Sequence, residues 1–93
     1  MGIDTLISQL KEYLTESVEN KHVMEESYNK KDDINCEIVV HKLKSESRML
    51  GLTDLGEMFY NHELAAKRKD WDYINKEYTP LISEYDKVLN VLE

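Results

Sequence analysis

The sequence is poor in chain-breaking residues: three glycines and one proline in 93 positions. An all-β domain needs a turn signal about every 8–12 residues, so this scarcity excludes one, and it excludes a low-complexity linker as well. Cysteine is nearly absent. Cys36 stands alone, so no intrachain disulfide can form, and a reducing compartment fits the chain. Long apolar runs are missing too, since the longest aliphatic stretch is Ile38–Val39–Val40, against the roughly 20 residues a membrane-crossing helix needs. The opening "MGIDTL" has no basic-then-apolar leader pattern, and Leu6 occupies the place where a myristoylation motif wants Ser or Thr. Positive charge is in deficit: 12 Lys and Arg face 19 Asp and Glu, a net charge of −7. Nucleic acid is thereby disfavoured as a partner, because phosphate neutralisation drives that binding. These absences describe one soluble, cytoplasmic domain over residues 1–93, with no membrane contact.

What is present is helical periodicity. Ile3, Ile7, Leu10, Leu14 and Val18 step by three or four, with Asp4 as a candidate N-cap. Met24 and Tyr28 resume that stripe after the polar "ENKH". This leaves open one long first helix, or a short extra N-terminal helix joined to a longer one near residues 17–20. "NKKDD" ends the region, with Asp32 or Asp33 placed to cap a second helix. Its stripe is Cys36, Val40, Leu43, Ser47 and Leu50, and Gly51 closes it. Thr53 is expected to cap a third helix with the stripe Leu55, Met58, Phe59, His62 and Ala66, terminated by the cations of "KRKD". Asp70 caps a fourth, along which Trp71, Ile74, Tyr78, Leu81, Tyr85, Val88 and Leu92 share a face. Pro80 inside it predicts a kink rather than a break. The expected fold is all-α: an antiparallel four-helix bundle.

One stretch does not serve the core. In "HKLKSESRMLG", residues 41–51, Leu43 lies about 160° around the helix from His41, while Glu37, Lys44, Ser45 and Arg48 lie within about 60° of it. The helix therefore buries its aliphatic side and presents His41 to water. Residues 41–48 also hold three cations and one anion on an acidic chain. A local positive patch of this kind marks where an anion is meant to come. Imidazole, largely neutral near pH 7, is nucleophilic without help.

The same stretch resembles the signature of histidine-containing phosphotransfer (HPt) domains, written roughly H-x-L-K-[GS]-x-[SA]-x-x-x-G. His41, Leu43, Lys44, Ser45, Ser47 and Gly51 fall in register. "HELAAKRKDWDYI" is similar to the end of that family's third helix and the start of its fourth. "YLTESVENKHVMEESYNKKDD" keeps its spacing from the first aromatic-leucine pair to the capping aspartate. "TPLISEY" is similar to the fourth helix of the HPt modules at the ends of hybrid sensor kinases. Ser45 replaces the commoner Gly, Val40 the usual Ala, and Met49 a frequent Asn.

The resemblance implies a phosphorelay intermediate rather than an enzyme. His41 would accept a phosphoryl group from a receiver-domain aspartate and pass it to a second receiver, with Lys44 and Arg48 stabilising its charge. Ser45 and Lys42 would form the docking surface. Glu63, 22 positions after His41, would orient the imidazole through Nδ1; from the residues alone it could equally be a surface carboxylate paired with Lys67. Response-regulator receivers and a hybrid histidine kinase are the implied partners, and the chain is expected to be a monomer. No cofactor is expected on the chain, and any Mg²⁺ would belong to the receiver. A different class of reading is a non-transferring docking adaptor for receivers, against which intact His41 and Lys44 stand. Metal binding is not expected, since His22, His41, His62 and Cys36 have neither HExxH nor CxxC spacing. His62, on an apolar stripe, reads as a hydrogen-bonded, partly buried residue.

Overall fold

The computed structural model describes residues 2–92. Among them are four helices and no strand: α1 (Ile3–Asn29), α2 (Asp33–Met49), α3 (Thr53–Lys67) and α4 (Trp71–Leu92). Each is joined to the next by a short turn, so neighbours run antiparallel and form the four-helix bundle. The first helix is single and continuous through the polar stretch near residues 17–20.

The stops and starts are local chemistry. Asp32 caps α2 by accepting the Asn35 backbone N–H at 3.1 Å, and Asp70 does the same for Tyr73 at 3.1 Å at the head of α4. Gly51 turns the chain between α2 and α3 at φ +78°, a left-handed conformation that costs glycine little. Two expected caps are displaced. Gly2, not Asp4, occupies the N-cap position of α1, and Leu52 precedes α3, with Thr53 already helical. The Thr53 hydroxyl points back to the Gly51 carbonyl at 3.5 Å rather than forward to an orphan N–H. Pro80 is exposed and does not break α4.

The core is formed by Met24, Cys36, Val39, Val40, Leu43, Leu55, Phe59, Ile74, Leu81 and Tyr85, with Tyr13 and Tyr28 supplied by α1. The face that α1 buries keeps Met24 and Tyr28 of the expected stripe but departs from the stripe's first half. Tyr13, Ser17, Asn20, Met24, Ser27 and Tyr28 point inward, whereas Ile3, Ile7 and Val18 are exposed. Ser17 and Ser27 bury without penalty because their hydroxyls donate to the Leu14 and Met24 carbonyls of their own helix, at 2.7 and 2.8 Å. Tyr13 meets Ser47 of α2 at 2.9 Å, a buried polar tie between two helices.

Length accounts for the exposed isoleucines at the start of α1. At 1.5 Å per residue, the 27 residues of α1 extend about 40 Å, the whole 41 Å long axis of the molecule. The 17 residues of α2 and 15 of α3 reach only about 25 and 22 Å. The first turns of α1 and the last of α4 thus run on past the α2–α3 turn, leaving Ile3, Leu6, Ile7 and Val91 exposed.

Candidate functional site

The site is assembled where α3 passes α2. These helices come close because residue 56 is glycine: a Cβ there would stand 3.1 Å from Arg48 Cγ. Two turns further along α3, Glu63 enters the seam and is 3% exposed. Its Oε2 lies 2.7 Å from His41 Nδ1, and its Oε1 lies 2.7 Å from Lys44 Nζ, an ion pair rather than a well-directed hydrogen bond. Lys67, one turn on along α3, stands 3.6 Å from Oε2.

Three cationic or polar groups thus share one buried carboxylate. Burial alone would push the Glu63 carboxyl up; the contacts of Lys44 and His41 outweigh it and leave the group below the usual carboxylate range. A carboxylate accepts and cannot donate, so the imidazole proton sits on Nδ1. In the neutral ring the other nitrogen, Nε2, then carries the lone pair. Among the described residues nothing hydrogen-bonds Nε2, and the His41 side chain is 57% exposed. The result is an imidazole with one nitrogen fixed from inside and the other open to solvent.

The remaining expected site residues surround it. Lys44 is mostly covered, with 13% of its side chain exposed, and lies over the Tyr60 ring, 5.2 Å from its centroid. It is therefore not a free cation beside the histidine but part of the Glu63 cluster. Arg48 stacks on the same ring at 5.1 Å and reaches Glu57 at 3.6 Å. Ser45 is half-buried beside His41, and Lys42, turned toward α1, pairs with Glu16 at 3.3 Å. Of the two readings of Glu63, the surface one does not survive its burial, although the Lys67 contact exists.

Sequence reasoning missed two features. Tyr60 supplies the face on which Lys44 and Arg48 lie; its spacing of three from Glu63 and seven from Lys67 was the available signal, since residues so spaced share one line of a helix. Ile34 and Ile38, 68% and 61% exposed, continue the line of His41 and Ser45 along α2 at intervals of four, three and four. They frame the histidine with apolar surface. The wide helix-wheel separation of both from Leu43 was the available signal here.

His62, next to Glu63 in sequence, faces the other way. It is 2% exposed, its Nε2–H donates to the Glu77 carbonyl at 3.3 Å, and Nδ1 accepts the Tyr28 hydroxyl at 2.7 Å. Burial holds its pKa down at about 4, so it is neutral. Buried Cys36 is likewise inert, its thiol pushed up to about 11 by desolvation. No group of three or more His, Cys, Asp or Glu that could hold a metal occurs among the described residues, and no helix among them is long and apolar enough to cross a membrane. No family model, curated protein or solved structure matches the chain.

Proposed function

We propose that this chain is a phosphorelay intermediate that takes a phosphoryl group on His41 from the aspartyl phosphate of a receiver domain and yields it to the aspartate of another. The observation that carries the reading is the His41–Glu63 pair: an exposed ring whose Nδ1 is held by a buried carboxylate, with Nε2 left facing solvent. Phosphoryl transfer asks a protein chiefly for a positioned nucleophile and for positive charge, since the transferred group passes in line between entering and leaving atoms. His41 is the nucleophile. Lys44 and Arg48 supply charge one and two turns away, and on this reading Lys44 exchanges part of its contact with Glu63 for the incoming phosphoryl oxygens. Mg²⁺ and the acidic pocket that activates the aspartyl phosphate belong to the receiver. Ile34 and Ile38, with Ser45 small between His41 and the next turn, give a receiver an apolar footing around the reactive nitrogen. The partners on this reading are response-regulator receivers and a hybrid histidine kinase, in the cytoplasm.

Incubation with a phosphorylated receiver tests the reading. The chain should gain the mass of one phosphoryl group, and the label should be acid-labile and alkali-stable. His41→Gln should keep the helical fold and its melting temperature and gain nothing. Label on the variant, or none on the wild type across the receivers of the source organism, overturns the proposal.

A further inference from the structure

The proton that Glu63 holds bears on what happens after transfer as well as before it. We infer that Glu63 keeps Nδ1 protonated in the phosphorylated state, so that phosphorylated His41 is a phosphoimidazolium paired with a buried carboxylate and remains a ready donor; the inference rests on the phosphorelay reading above.

In the forward step the Nε2 lone pair forms the N–P bond while the aspartyl O–P bond breaks, and its electron pair leaves with the receiver carboxylate. The Nδ1 proton is not involved and stays in place, so the ring now bears a positive charge. In the return step the N–P electrons go back to Nε2 and the leaving group is neutral imidazole. If the ring loses that proton to water, the return step must expel an imidazolate anion, a far poorer leaving group. A solvent-facing phosphohistidine loses it in the ordinary imidazole range near ~6.5. Here Nδ1 faces away from water, 2.7 Å from a carboxylate that is 3% exposed, and Lys44 and Lys67 keep that carboxylate ionised rather than taking the proton itself. The titratable groups facing the pair from α2 and α3 are those two lysines, with the Tyr60 ring against Lys44; half-buried Glu37 sits one turn before His41 on α2 and exposed Arg48 two turns after it.

The test uses the intact chain loaded with phosphoramidate, a small phosphodonor that needs no receiver, with His41→Gln as the blank. Loss of phosphate is followed against pH for the wild type and Glu63→Gln. The wild-type rate should stay level well above the ordinary imidazole range, whereas the variant's should fall. One pH unit between the two profiles is a factor of ten in the protonated fraction, so the variant should release phosphate roughly tenfold more slowly at about pH 8. A structural role alone would change the melting temperature without displacing the pH profile. The wild type offers a second readout that does not depend on the variant folding: at about pH 8, the Nδ1 chemical shift of phosphorylated His41 should be that of a protonated nitrogen. Superimposable profiles, or a lone-pair-bearing Nδ1 in the phosphorylated wild type, overturn the role of Glu63 alone. Failure of both phosphoramidate and receivers to load His41 overturns the phosphorelay reading with it.

Discussion

Two histidines of this small bundle are held by opposite tautomers, and their surroundings account for the contrast. His41 donates an Nδ1–H hydrogen bond to Glu63 and leaves Nε2 bare at the surface. His62 gives its Nε2 proton to a backbone carbonyl and uses Nδ1 to accept from Tyr28. The first ring has one satisfied nitrogen and one available one; in the second both are satisfied and water is excluded. Side-chain type is therefore a poor guide to chemistry here. Reactivity follows from which nitrogen the fold occupies.

The contrast can be broken most completely from outside. On the phosphorelay reading, Ser45→Arg should abolish phosphate transfer from a receiver by blocking its approach over α2, while Ser45→Gly is tolerated and neither change alters the melting temperature. Undiminished transfer by Ser45→Arg would show that the partner does not approach over this residue.

A smaller effect separates the two rings by pH. The native state keeps His62 neutral down to about pH 4, whereas the unfolded chain takes the proton near ~6.5. Because the folded value is the lower one, the contribution of His62 is complete above about pH 6.5 and is lost as pH falls toward 4, by about 1.4 kcal/mol per pH unit. Between about pH 7 and pH 5, the stability advantage of the wild type over His62→Gln in urea unfolding should shrink by about 2 kcal/mol. A constant difference over that range would mean that His62 is not neutral in the core.

An effect of comparable size sharpens the His41 side. Lys44→Ala removes one charge-assisted contact of about 1.5–3 kcal/mol, which slows transfer by roughly ten- to a hundredfold. Wild-type transfer rates in Lys44→Ala would reduce the lysine to a structural partner of Glu63.

Much of this arrangement is legible in the sequence wherever a local rule decides it. The Asp32 and Asp70 caps, the Gly51 turn, the buried side of α2 and the exposure of His41 all follow from short-range spacing and are present in the structure. The inward face of α1 is not legible from hydrophobicity, because serines that satisfy their hydroxyls on their own backbone can be buried in place of isoleucines. Ile3 and Ile7 stay outside because helices far apart in sequence have unequal lengths, whereas Ile34 and Ile38 are exposed on the outer face of α2 itself. Glu63 is the sharpest case. Its burial depends on how closely α3 approaches α2, a matter of Gly56 against Arg48 two turns away, so helical spacing alone left it undecided between a surface and a site.

Consecutive residues of a helix point about 100° apart, which gives the adjacency of His62 and Glu63 a mechanical meaning. Through His62, α3 is bolted to Tyr28 of α1 and to the Glu77 carbonyl of α4; through Glu63, the same turn of helix grips the imidazole of α2. The helix acts as an axle with a bolt on one side and a finger on the other. With side-chain tips some 5–6 Å from the axis, a roll of about 10° carries the carboxylate through about 1 Å, enough misplacement to cost a transfer reaction about a hundredfold. The contacts of His62 with α1 and α4 and the contact of Glu63 with α2 thus lie on one turn of α3, so the packing around Tyr28 and the placing of the His41 ring depend on the same short piece of helix.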